Sequence, residues 1–340
     1  MVLKQQDNKS IARDGASDLI DLCRENALSN LGSDPESAAD SINQLVECVE
    51  NSVAAKLEEA NEEISFQANV RTKMADLLEN YTCADFELNT TEPTETKHWA
   101  HKNQKVTVKV MHERPHSKIH LLENFINPDE CKAMEEAAKS TLHPATVANE
   151  DGGSRLSENR KAMQAGIKVP WHKELFGNPI AVLSRRVFDY TNHVTGFDLK
   201  EFGQEDLMSI QYFGRGEDDE APDRYMPHCD GDCAGLKHKT GTRVATMVMY
   251  CDVPEKGGST NFRNAGIHIN PKPGGAVFFS YMGSDEFMDK GFTEHSGCPV
   301  LIGEKKIVTQ WMRKGVDTKN PWDSFNTCEY LKKLDFQIFS

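Results

Sequence analysis

The sequence predicts an α+β fold: a double-stranded β-helix, or jelly roll, braced by helices and preceded by an N-terminal helical extension. Three observations predict it. From Arg243 onward, short runs rich in Val, Met, Thr and Phe alternate with Gly/Pro turns, as in a double-sheet barrel and unlike a βαβ chain. Two segments with helix start and stop signals precede those runs. The first part of the chain carries an apolar stripe at helical spacing.

The 340 residues divide into a helical extension (1–86), a polar linker (87–110) and a large domain (111–340) whose core is 205–315. In the extension, Ser33-Asp34-Pro35-Glu36 reads as a helix start: a capping side chain, Pro in the first turn and an acid at the positive end of the dipole. Ile42, Val46, Val49, Val53, Leu57, Ala60 and Ile64 then advance by threes and fours. Met74, Leu77 and Leu78 continue that helix or begin another. A helical extension packed on itself or on the large domain is expected; a dimerisation coiled coil is the alternative. Glu87 to Lys105 is polar without apolar periodicity and reads as linker. The nearby His98, His101, His112, His116 and His120 match no metal-ligand spacing and read as solvated linker histidines.

KIHLLENFI, from Lys118, is expected as a strand. Asn127-Pro128 starts a helix to about Ser140, ATVANEDGGSRLSENRK is strand, acidic turn and loop, and NPIAVLSRRVFDYTNHVTG is an amphipathic helix stopped at Gly196. RVATMVMYCDV has the unbroken apolar character of a buried strand. PEKGGSTNF turns at Gly257-Gly258 into another short strand. IHI, NPKPGG and AVFFSY repeat strand, turn, strand, and CPVLIGEKKIVTQWM supplies a last pair of strands around Gly303.

Chemistry concentrates between Tyr225 and Arg313. YMPHCDGD offers His228 and Asp230 as H-x-D, and His295 lies far downstream. Two imidazoles and a carboxylate on one face of a metal leave positions open, as suits non-heme Fe(II) oxygen chemistry. Lys305, ten residues after His295, would set a fixed positive charge beside that metal. In the jelly-roll reading His228 and Asp230 sit on a loop near a strand end, His295 begins a strand across the barrel mouth, and Lys305 points inward from the next strand. A surface lysine at a strand end is the plainer reading of Lys305.

DLMSIQYFGRGE, YMPHCD, RVATMVMY, GGSTNF, PKPGGAVFF, HSGCPVLIGEK and Trp311 together resemble the collagen-type prolyl 4-hydroxylases of the Fe(II)- and 2-oxoglutarate-dependent oxygenases, over about 118–311. The resemblance implies iron ligands at His228, Asp230 and His295, with Lys305 binding the far carboxylate of 2-oxoglutarate. It also implies cosubstrate contacts from Tyr212 and Thr260, a peptide groove lined by Arg243, Trp311 and Tyr225, and O2 and ascorbate as further cofactors. Hydroxylation of proline in a proline-rich or collagen-like peptide would follow, with a protein disulfide isomerase subunit or a second copy of the chain as partner. Two positions depart from the family. The acidic run EDDEAPDR between Gly216 and Tyr225 would extend a loop at the substrate entrance, and Lys306 stands where Trp is usual.

A net charge of −14 argues against a nucleic-acid surface. No run reaches membrane-span length, and the first residues lack the apolar core of a signal peptide. Nine cysteines cannot all pair within one chain. By resemblance Cys298 bridges Cys328 and the chain works in the endoplasmic reticulum lumen, with the cytoplasm as the alternative. The plain reading of most cysteines is small, buried and reduced. Sequons stand at Asn80 and Asn89. Two other functional classes compete: a structural zinc module from His228, Cys229, Cys233 and His238, and a jelly-roll binding protein without catalysis.

Overall fold

The computed structural model describes residues 15–32, 35–78, 83, 88–148, 154–157 and 159–325. It divides into two units, Met1–Leu78 and Glu79–Ser340. No helix among the described residues is long and apolar enough to cross a membrane.

The first unit holds two helices, α1 (Gly15–Ser29) and α2 (Pro35–Leu78). The residues expected to cap α2, Ser33 and Asp34, lie outside the described residues, as does Asn80. The helix runs on through Met74 to Leu78. The stripe read from the sequence is helical, but four of its residues face outward: Ile42, Val46, Val53 and Leu57 are all at least half exposed, while Val49 is half-buried. Contact with α1 uses the neighbouring face, where Ser41 is buried and Leu45, Cys48 and Ser52 are half-buried, again at spacings of three and four. Cys23 and Ala27 of α1 are buried, Cys23 is disulfide-bonded to Cys48, and Asn30 Nδ2 donates to Gln44 Oε1 at 3.1 Å.

The second unit is an antiparallel sheet folded into a jelly roll with helices on one side. Its first strands are β1 (Glu95–His101), β2 (Gln104–Glu113) and β3 (Lys118–Glu123). The linker expected at 87–110 is therefore a strand hairpin from Glu95 onward. β1 is an edge strand with Trp99 alone buried, and polar edges are how exposed strands avoid further pairing. Of the five histidines read as solvated, His98 is exposed, whereas His101 and His116 are half-buried and the other two are not solvated at all. His112 and His120 are buried, bonded to Ser117 Oγ at 2.8 Å and to the Tyr190 hydroxyl at 2.8 Å.

α3 (Pro128–Ala138) begins with a reciprocal cap: Asn127 Oδ1 accepts from Glu130 N, and Glu130 Oε2 accepts from Asn127 N. Short strands follow as β4 (His143–Pro144), β5 (Thr146–Ala148), β6 (Ser154–Leu156), β7 (Arg160–Lys161) and β8 (Met163–Ile167). α4 (Pro179–Thr195) is capped by Asn178 and stops at Gly196. Arg186 of α4 donates to both carboxylate oxygens of Glu130, at 2.6 and 3.0 Å, so a buried ion pair joins the two helices.

The barrel strands are β9 (Leu207–Arg215), β10 (Asp223–His228), β11 (Arg243–Asp252), β12 (Lys256–Gly257), β13 (Thr260–Phe262), β14 (Ile267–Ile269), β15 (Ala276–Ser280) and β16 (His295–Arg313). The main path runs β1-β2-β3-β15-β11-β16-β9-β8-β4. The last pair of strands expected around Gly303 is one strand of 19 residues that changes partners along its length. Up to Ile302 β16 pairs with β10, β12 and β13; from Ile302 onward it pairs with β9, and from Lys306 with β11 as well. Gly303, at φ 89°, takes the left-handed conformation at that change, which a side chain would strain. The acidic run forms the β9–β10 connection, pinned where Arg215 pairs with Asp219 at 3.0 Å and Asp223 at 2.6 Å.

The cysteines differ most from expectation. Eight of the nine form disulfides: Cys23–Cys48, Cys83–Cys298, Cys131–Cys251 and Cys229–Cys233. They are oxidised and not reduced, and Cys298 bonds Cys83 in place of Cys328, which lies outside the described residues.

Candidate metal centre

Strand register assembles this site. His228, the last residue of β10, stands directly opposite His295, the first of β16. Further along β16, Lys305 stands opposite Tyr212 on β9, and Trp311 opposite Thr246 on β11. Side chains alternate faces along a strand, so Lys305, Ile307, Thr309 and Trp311 share the inward face with the two histidines, and Lys306 is turned away. On β9 the same alternation turns Ile210 and Tyr212 inward.

Nitrogen and oxygen atoms of His228, Asp230 and His295 lie within 4.8 Å of one another. His228 Nε2 is 3.6 Å from Asp230 Oδ1, and His295 Nε2 is 3.8 Å from Asp230 Oδ2. The other ring nitrogens are occupied: Nδ1–H of His228 donates to the Met226 carbonyl at 2.8 Å and that of His295 to the Thr293 carbonyl at 3.0 Å. A carbonyl only accepts, so each Nδ1 carries a proton and each Nε2 is the nitrogen turned toward Asp230, the one a metal would take. Burial, helped by the adjacent His228, pushes His295 down to about 4 and keeps it neutral near pH 7. Burial alone would raise Asp230, but His295, His228 and Arg243 hold its carboxyl well below the usual range. Asp230 Oδ2 also accepts from Thr246 Oγ1 at 2.8 Å, and that hydroxyl lies 3.1 Å from the Tyr281 hydroxyl.

Lys305 is 2% exposed and so is not a surface lysine. Its Nζ lies 5.6 and 5.7 Å from the ring centres of Tyr212 and Tyr250. Burial pushes it down to about 7, and no carboxylate among the described residues pairs with it. A lysine this buried is ordinarily paired. Thr260, across the same pocket, shares a 2.7 Å hydrogen bond with the Tyr250 hydroxyl. Burial pushes Tyr212 up to about 12, so its phenol stays protonated.

Tyr225, Arg243 and Trp311 line an adjoining groove of about 610 Å³. The Tyr225 ring stacks on His228 with centres 3.5 Å apart. The Arg243 guanidinium lies 4.1 Å from the Trp311 ring centre, and Glu205 binds both Arg243 (2.5 Å) and Arg313 (2.6 Å). Residues 217–224 line no part of this groove, contrary to the expectation of a loop at the entrance. A larger cavity, about 730 Å³, lies on the outward side of β16 around Lys306 and Glu135. It contains none of the three converging residues, so size does not mark the site. Lys306 itself pairs there with Glu135 and Asp252 at 3.1 Å each.

Sequence reasoning missed Glu205, Thr246, Tyr250, Tyr281 and Arg160, whose guanidinium lies 4.9 Å from the Tyr225 ring centre. Each is an ordinary residue in a strand or connection until register sets it beside the site. The proposed zinc set does not assemble: Cys229 and Cys233 are bonded to each other, and among the described residues only His228, Asp230 and His295 form a metal-type cluster.

Residues 207–313, which contain His228, Asp230, His295 and Lys305, match the family model of the 2OG-Fe(II) oxygenase superfamily. The chain is 31% identical over 207 residues to prolyl 4-hydroxylase subunit alpha-2 of Caenorhabditis elegans, covering 59% of this chain and 35% of that one. It is 27% identical over 246 residues to prolyl 4-hydroxylase 1 of Arabidopsis thaliana, covering 66% and 81%. Among solved structures it is similar to a viral collagen prolyl hydroxylase from Paramecium bursaria Chlorella virus-1 in a 2OG complex, at 25% identity and a TM-score of 0.42, covering 58% and 96%. The chain spans 35 to 37% of the length of three animal prolyl 4-hydroxylase alpha subunits to which it is similar.

Proposed function

We propose that this chain, whose residues 207–313 form a 2OG-Fe(II) oxygenase domain, hydroxylates proline in a proline-rich or collagen-like peptide. One observation carries the reading: a cluster of two imidazoles and a carboxylate shares its pocket with a buried lysine that lacks a protein carboxylate among the described residues. The donor set fits Fe(II), and the unmatched ammonium fits a dicarboxylate cosubstrate. Bound iron and 2-oxoglutarate supply the oxidation of a substrate C–H bond by O2, coupled to decarboxylation of the cosubstrate, with ascorbate sustaining the iron.

The chain's own residues bind, orient and exclude water. His228, Asp230 and His295 hold the metal, and the carbonyls of Met226 and Thr293 fix both rings in the ligating tautomer. Thr246 fixes the Asp230 carboxylate. Lys305 takes the far carboxylate of the cosubstrate, with hydroxyls of Tyr212 and Thr260 in the same pocket. Arg243, Trp311 and Tyr225 form the peptide-facing wall; Trp311 Nε1 is buried without a partner among the described residues and can donate to a peptide carbonyl. Glu205 holds the Arg243 fork in place while matching its charge.

The test is succinate release and oxygen uptake with proline-rich and collagen-like peptides, with 4-hydroxyproline identified in the product by mass spectrometry. Turnover that needs Fe(II), 2-oxoglutarate and peptide together supports the reading. Iron binding without turnover on any proline peptide would favour the non-catalytic binding protein, and zinc alone the structural module. Partnership with a protein disulfide isomerase subunit or a second copy belongs to the same proposal, tested by light scattering of the chain alone and with that subunit. Residence in the endoplasmic reticulum lumen is supported by four disulfides, which persist in oxidising compartments. Imaging of the tagged full-length protein tests it.

A further inference from the structure

Two of the three ligands sit on secondary structure and the third does not. His228 and His295 are paired on β10 and β16, whereas Asp230 lies two residues past the end of β10. The turn that carries it is cross-linked to itself, because Cys229 and Cys233, flanking Asp230, are disulfide-bonded. Other contacts also hold this turn, among them Met288 N–H donating to the Leu236 carbonyl at 2.9 Å. Thr246 bonds Asp230 at 2.8 Å. Asp232 accepts from the backbone N–H groups of Ala234 (3.2 Å) and Leu236 (3.0 Å), and Gly235 N–H donates to the Asp289 carbonyl at 3.0 Å. Gly231 sits so close under Tyr281 that an added Cβ would meet the ring at 2.6 Å.

The disulfide spans 4 residues of sequence, against 25, 120 and 215 for the others. Chain-entropy stabilisation grows with the loop closed, so this bond does least for the unfolded-state balance. Its effect is local. Both half-cystines are half-buried, and Cys229 lines the 610 Å³ groove, so a small reductant has a route to the bond. Neither sulfur belongs to the ligand cluster.

We propose that the Cys229–Cys233 disulfide is a reducible clamp on the metal-ligand turn, with both cysteines acting as positioning residues for Asp230. Closed, it holds the carboxylate in line with the two imidazoles and keeps the groove wall in shape. Opened by a dithiol, it releases the turn, and metal affinity falls. In that step the S–S bond between Cys229 and Cys233 breaks and one forms within the reductant. Two electrons and two protons pass from the dithiol, leaving two cysteine thiols; exchange with another disulfide reverses it. The proposal rests on the metal reading above and adds a redox condition to it.

The experiment uses the full chain and Mn(II) as probe. Protein is exposed to graded dithiothreitol, opened cysteines are alkylated and mapped by mass spectrometry, the reagent is removed, and Mn(II) affinity is measured by calorimetry. Samples open only at Cys229 and Cys233 should bind Mn(II) about ten- to a hundredfold more weakly, the range for losing a group that orients a ligand. The C229S/C233S double variant, free of alkyl groups, should show the same weakened binding without reductant and no further loss with it. Hydrogen exchange in wild-type residues 229–236 should quicken at the dithiothreitol level that opens the pair; this arm stands even where the variant does not fold. Unchanged exchange, or a variant that binds Mn(II) as tightly as oxidised wild type, overturns the clamp. Failure of the unreduced wild type to bind Mn(II) at all refutes instead the metal reading, and the clamp with it.

Discussion

Replacing Lys305 by Met should make the ligand-free protein more stable while removing its affinity for 2-oxoglutarate. The ammonium is 2% exposed, faces two tyrosine rings and has no carboxylate partner among the described residues; burial alone pushes it down to about 7. In the unfolded chain the same lysine keeps its proton to about pH 10.4. Between about pH 7 and that value the unfolded state therefore holds more protons, and stability rises with pH across the window. Below about pH 7 the full cost of the buried charge is present, on the order of 5 kcal/mol. Met fills similar space without charge, so Lys305→Met should raise the thermal midpoint near pH 7 and flatten its climb above it. Cosubstrate binding should move the other way. Stranding one partner of a buried charge pair costs about 2–5 kcal/mol, roughly thirty- to several-thousand-fold in affinity. A bound carboxylate restores the proton to Lys305, so wild-type affinity should be highest below about pH 7 and fall by up to about tenfold per pH unit above it. Lys305→Arg, charged throughout, should lose that pH dependence and recover affinity only in part, because a planar fork replaces a compact ammonium. The assay is 2-oxoglutarate titration of metal-loaded protein across pH, with bound metal quantified separately and melting followed on the ligand-free form. A Lys305→Met protein that is less stable and keeps its 2-oxoglutarate affinity would refute the reasoning.

Three other outcomes are expected. Thr246→Val removes the hydroxyl that steadies Asp230 and should weaken Mn(II) binding about ten- to a hundredfold by calorimetry. Glu205→Gln leaves Arg243 and Arg313 without their shared counter-charge; urea unfolding should show a loss of about 3–5 kcal/mol, with a higher peptide KM in whatever protein folds. Lys306→Ala, on the opposite face of β16, should leave the 2-oxoglutarate titration unchanged and shift stability by less than about 1 kcal/mol, as partly exposed ion pairs do.

The residues that announce the site in sequence are those whose chemistry is unusual for their place. His228, Asp230, His295 and Lys305 stand out because imidazoles, a carboxylate and an amine interrupt strand-like sequence, and the strands and turns around them carry local signals. α3 and α4 were legible for the same reason, since Asn-Pro starts and the Gly196 stop act within a few residues. β1 was not legible: an edge strand with one buried residue has the composition of a linker, and only pairing with β2 makes it a strand. Glu205 and Thr246 were hidden because their importance comes from residues 38 and 16 positions away. The outward turn of the α2 stripe was hidden too, because periodicity gives a helix's faces without saying which of them a neighbour covers. The disulfides required Cα atoms to come within 5 to 7 Å, a condition spacing along the chain does not reveal.

The continuity of β16 makes the site sensitive to parity. His295 and Lys305 ride on one unbroken strand, and the slots beyond Gly303 are filled in strict alternation. Inserting a single residue between Gly303 and Glu304 would carry Lys305 to the outer face and deliver Glu304 to the inward slot, setting a carboxylate where the cosubstrate's carboxylate is to bind. Inserting two would restore the facing but slide the amine about two residues farther from the metal, roughly 7 Å. The acidic run of the β9–β10 connection sits clear of the groove, so a change of length there leaves the facing of β16 untouched. A residue gained or lost between Gly303 and Lys305 would, on the function proposed above, turn the amine away from the pocket it shares with the two histidines.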